Sequence, residues 1–133
     1  MMRRVLGCLL LAVVAATTVW LAIAQRGPHT EVAIGGSAQY TVRIVVSASR
    51  IDPWTLEVAD RAGRPAEVDQ VTVEPVMPGM GHAAAAVVAT PEAPGRYRAE
   101  GIRLPMSGQW EITVRLRRGA AQEEILIPLT VAR

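Results

Sequence analysis

Lysine and phenylalanine are absent from this 133-residue chain, and cysteine occurs once, as Cys8. Cys8 lies inside an apolar leader, so residues 25–133 contain neither a disulfide nor a thiolate metal ligand. Their stability must come from a packed core. Histidine is nearly as scarce: only His29 and His82 are present, which excludes a structural zinc site built from several imidazoles. A charge of one sign is also missing. Beyond the leader twelve arginines face twelve acids, so nothing in the exported part attracts nucleic acid. The chain holds no nucleophile elbow or phosphate-cradling loop, and His82 has no serine or cysteine at a catalytic spacing. Glu123-Glu124 reads as a solvated charge pair. The expectation is a binding or accessory protein, not an enzyme.

What is present begins with Met1-Met2-Arg3-Arg4, followed by an uncharged stretch from Val5 to Ala24. As a helix, that stretch is long enough to cross a hydrocarbon core of about 30 Å. Ala22-Ile23-Ala24 also makes a small-x-small cleavage site before Gln25. Residues 1–24 are therefore a signal peptide or a signal-anchor helix. Either way Arg3 and Arg4 stay on the cytoplasmic side, and residues 25–133 face the periplasm or the extracytoplasmic space. Residues 25–36, broken by Pro28 and Gly35-Gly36, read as a tether; residues 37–133 read as the domain.

Within the domain, apolar residues recur at every second position, the period of half-buried strands. Tyr40, Val42, Ile44 and Val46 share a face; Trp54, Leu56 and Val58 repeat the pattern, as do Val71 and Val73. Tyr97 marks a short strand after Pro94-Gly95. Trp110, Ile112, Val114 and Leu116 alternate, followed by Ile125, Ile127, Leu129 and Val131. Residues 82–90 have the composition of either a helix or a strand, and their bracketing turns favour a strand. The spacing predicts an all-β, immunoglobulin-like antiparallel β-sandwich of about seven strands. Pro128 places the last strand at a sheet edge or a bulge.

Beyond the leader there are only three methionines, and all lie in Pro/Gly turns: Met77-Pro-Gly-Met80-Gly-His82 and Leu104-Pro-Met106-Ser-Gly108. Methionine ordinarily fills cores, whereas turns run over the surface. Successive antiparallel strands alternate in direction, so the loops at 77–81 and 105–108 should emerge at one end, joined by the loop at 47–53. Met77, Met80, His82 and Met106 then become candidate ligands of Cu(I), which thioether sulfur selects. The competing reading has the methionines folding inward to plug the end of the domain. Trp110, Trp54 and Tyr97 read as core.

Met77-Pro-Gly-Met80-Gly-His82, Gly95-Arg-Tyr97 and Met106-Ser-Gly108-Gln-Trp110 together resemble the blocks of the YtkA-like domain family, which is close to FixH-type proteins. Asp60-Arg-Ala-Gly63-Arg-Pro65 is similar to that family's turn. The resemblance covers residues 38–118. It implies a small immunoglobulin-like β domain, exported or membrane-tethered, with metal-efflux or oxidase-assembly partners and a link to copper at Met77, Met80, His82 and Met106. It also implies structural roles for Gly95, Tyr97, Gly108 and Trp110. The function expected is a module that binds Cu(I) and passes it to a partner; the alternative is a metal-free domain that docks on a membrane respiratory or efflux complex.

Overall fold

The computed structural model describes residues 30–46 and 53–132. Among the described residues nine strands follow one another: β1 (Glu31–Gly36), β2 (Tyr40–Val46), β3 (Trp54–Asp60), β4 (Gln70–Met77), β5 (His82–Ala83), β6 (Val87–Ala93), β7 (Arg96–Ala99), β8 (Gly108–Arg118) and β9 (Ala121–Val131). One 3-10 turn, Pro78–Met80, separates β4 from β5. Among the described residues no helix is long and apolar enough to cross a membrane. The leader expected at residues 1–24 lies outside the described residues.

Every ladder is antiparallel, in the order β1-β2-β3-β7-β6-β4-β8-β9, with β5 attached to β4. β6 joins the two halves of the sheet: residues 87–89 pair with β4 and residues 90–93 with β7. The sheet curls until β1 lies beside β9, giving a barrel-like body. At that seam Gly35 is close-packed; a Cβ there would stand 2.6 Å from a carbon of Ile127.

The strand count exceeds the expected seven for two reasons. Glu31–Gly36, read from sequence as tether, pairs with β2 in full register from Glu31↔Val46 to Gly36↔Thr41. Residues 82–90, read as a single strand, are split between β5 and β6. Pairing with β2 decides the first case, since Gly35-Gly36 weakens the local strand signal. The edge position expected from Pro128 is present, because β9 pairs with β8 alone.

The period-two pattern becomes one core. Tyr40, Val42, Ile44, Trp54, Leu56, Val58, Val71, Val73, Tyr97, Trp110, Ile112, Val114 and the inward residues of β9 are all buried. Full burial contributes roughly 1.5–3 kcal/mol for each Val, Leu or Ile side chain.

Two of the family-type blocks meet here. The Tyr97 hydroxyl accepts a hydrogen bond from the Val68 N–H at 2.8 Å and donates to the Val68 carbonyl at 3.2 Å. Gly95, at φ +68, lies against the Asp60–Pro65 turn, and its carbonyl accepts from Val58 N–H at 2.7 Å. The Gly95-Arg-Tyr97 block thus holds the approach to β4 against β3 and β7.

Candidate metal site at one pole

β4 ends and β8 begins at the same pole. Their register runs from Gln70↔Arg117 to Val76↔Glu111, which puts Met77 level with Trp110 and its side chain within reach of Gly108. A Cβ on Gly108 would lie 3.4 Å from the Met77 methyl. The loops at 77–81 and 100–107 therefore converge, as the strand parity predicts. Val46 and Trp54, which flank the third expected loop, close on the same pole through β2 and β3; residues 47–52 themselves lie outside the described residues.

His82 stands directly opposite Met77 across the β4–β5 ladder. Cross-strand partners of this kind project to the same face, with Cβ atoms about 4.5–5.5 Å apart. The exposed His82 ring meets the Trp110 ring edge-on, with centroids 6.2 Å apart and planes at 78°. Trp110, otherwise buried, donates its indole N–H to the Met106 carbonyl at 3.0 Å. One side of the pole thus carries a linked series: Met77, His82, Trp110, Met106. Met80 sits on the 3-10 turn between Met77 and His82 and is 69% exposed.

The surface placement expected for the methionines needs correction at Met77. Met77 is only 6% exposed and continues the inward face of Val71 and Val73. Register explains the difference: the chain remains extended through residue 77, so the turn begins at Pro78, one residue later than the loop expected at 77–81. Met106 is half-buried and packs against the core, leaving Met80 as the exposed thioether. Sequence reasoning assigned Trp110 to the core alone and missed its contact with His82. The i,i+4 spacing of Met106 and Trp110 was the available signal, since it lets the indole reach back over its own loop.

Chemically the pole offers thioether sulfur and one imidazole. Among the described residues no three His, Cys, Asp or Glu side chains gather as a metal-binding group. Hard cations and structural zinc lack their usual ligands in such a set, whereas thioethers with an imidazole match a soft monovalent metal.

The opposite pole differs. Tyr40, Asp60, Arg61, Arg64 and Arg118 line an open concavity of about 540 Å³. Asp60 pairs with Arg64 at 2.8 Å, and its Oδ1 accepts the Ala62 and Arg64 N–H groups. Those bonds, led by the one from the Arg64 backbone, hold the Asp60 carboxyl below its ordinary 3.8. A hydrogen bond with the Tyr40 side chain raises the Arg118 guanidinium above its ordinary range.

No curated protein and no solved structure significantly matches this chain. The family model described as YtkA-like matches residues 36–115, more than half of the chain, from the end of β1 to Arg115 in β8, and leaves out β9. The chain belongs to the YtkA-like family.

Proposed function

We propose that this protein is an exported, membrane-tethered module that holds Cu(I) at its Met77/Met80/His82/Met106 pole and passes it to a metal-efflux or oxidase-assembly partner, without catalysing a reaction. The observation that carries this reading is the Met77↔His82 cross-strand pair, with Met80 on the turn between them. Thioethers have no proton to lose and the imidazole coordinates when neutral, so the site is uncharged and its affinity moderate. An exposed Met80 on a short turn gives an incoming partner a ligand to displace. We read the curled sheet as the immunoglobulin-like sandwich, with β6 passing between its two layers.

A second reading draws on the burial of Met77: the methionines seal the pole, and the domain docks on a membrane complex without metal. Titrating the full chain in detergent with Cu(I), against a chromogenic chelator, separates the two. The copper reading expects one Cu(I) per chain, with affinity falling about tenfold or more in Met80→Leu and His82→Gln, each removing one ligand bond worth at least 1.4 kcal/mol. Absence of binding by the parent protein selects the docking reading. Unchanged affinity in both variants removes the site.

A further inference from the structure

The direction of β1 determines which pole the tether holds toward the membrane. Glu31 pairs with Val46, at the end of β2 remote from Tyr40. Tyr40 belongs to the arginine-lined pole with Asp60 and Arg118, so β1 starts at the methionine pole. The apolar stretch of the leader ends at Ala24, leaving six residues, 25–30, before β1.

We infer that the Met77/Met80/His82/Met106 pole faces the bilayer surface, while the Arg61/Arg64/Arg118 pole points away from it. This inference rests on the membrane-tethered reading proposed above. From Ala24 to Glu31 the chain makes seven Cα-to-Cα steps, about 24 Å when drawn out straight. β8, with eleven residues, runs the length of the body from one pole to the other. That length is about 35 Å along the strand, or about 25 Å along the body axis at the tilt of a closed sheet. Inverting the domain would lift Glu31 by about that distance and hold the tether drawn out straight, with its conformational freedom lost. Anionic headgroups attract the three arginines and pull toward inversion, but chain length opposes it. The domain can tip, yet standing on its arginine pole leaves the tether no slack. The exposed apolar side chains Val32 and Met80 belong to the membrane-facing end, where contact with the lipid interface removes them from water. A partner embedded in the same bilayer therefore meets the methionines at short range, whereas a soluble carrier first meets arginine.

Energy transfer in reconstituted vesicles tests this orientation. In a full-length Cys8→Ser background, a donor dye is attached to Gly79→Cys at the methionine pole or to Ala120→Cys at the β8–β9 turn. Both positions are exposed, and Gly79 has open space for a side chain. The vesicles contain phosphatidylcholine and phosphatidylglycerol with an acceptor-labelled lipid. Transfer should be about twofold or more stronger from position 79 than from position 120, given a separation of about 25 Å or more. Equal transfer, or stronger transfer from 120, in chains that co-float with the vesicles overturns the orientation and leaves the tether intact. Chains that fail to float, with an intact mass lacking residues 1–24, overturn the tether and the orientation with it.

Discussion

Gly95 and Gly63 both hold positive φ, +68 and +76, but only Gly95 is pressed by neighbours. A Cβ at Gly95 would lie 2.7 Å from the Val58 carbonyl oxygen and 2.9 Å from both the Ala66 nitrogen and the Pro65 Cα. All three are backbone atoms and cannot rotate away. A Cβ at Gly63 meets nothing within 4 Å. Gly63→Ala should therefore cost only the left-handed backbone penalty, about 1–2 kcal/mol. Gly95→Ala should exceed that penalty, reaching at least about 3 kcal/mol as strain adds to steric overlap. Urea denaturation of the two variants checks the ranking; equal losses would show that the close approach at Gly95 relaxes freely.

At the scale of the element, the Asp60–Pro65 turn is held by one carboxylate. Its oxygens accept two backbone N–H groups and the Arg64 guanidinium, and Gly63 N–H closes the turn onto the Asp60 carbonyl at 2.9 Å. Because these partners depress the folded-state pKa below 3.8, the stabilisation is complete above that value. It is lost as pH falls through the lower folded-state value. Asp60→Asn should melt below the parent at neutral pH, and the gap should narrow only when the pH drops under 3.8. A gap independent of pH down to strongly acidic solution would show that charge plays no part in the turn. The turn also adjoins the Gly95 carbonyl bond, so β3 and the β6–β7 turn depend on it together.

For the whole molecule, the methionine pole gathers the ends of β4, β5 and β8 with the loop at 100–107. A ligand bound there joins segments that separate on unfolding, so it stabilises the entire sheet by mass action. At free Cu(I) about 100 times the dissociation constant the gain is about 2.7 kcal/mol. Thermal melting of the full chain should shift upward with Cu(I), and Met80→Leu, altering an exposed side chain, should reduce the shift while leaving the metal-free melting temperature unchanged. Equal shifts in parent and variant would detach Met80 from the site. The same pole shows how far the sequence could be read. Alternation identified β2, β3, β8 and β9, because those strands bury every second residue against one core. The convergence of the 77–81 and 105–108 segments followed from counting strand reversals. The burial of Met77 was not legible, since Pro78-Gly79 marks a turn without stating which residue is the last to pair. β1 escaped notice because its two glycines carry no side-chain pattern.

By itself the sequence determined an all-β domain, its inward faces and the soft donor set, because side-chain period and ligand chemistry are local properties. Tertiary structure alone decided that Met77 would be buried, that His82 would stand opposite it, and that Trp110 would touch that imidazole while anchoring the Met106 loop. It also decided that β1 would begin at this pole. Each of those outcomes depends on register and strand order, which arise when distant segments compete to pair and are not written in any one of them.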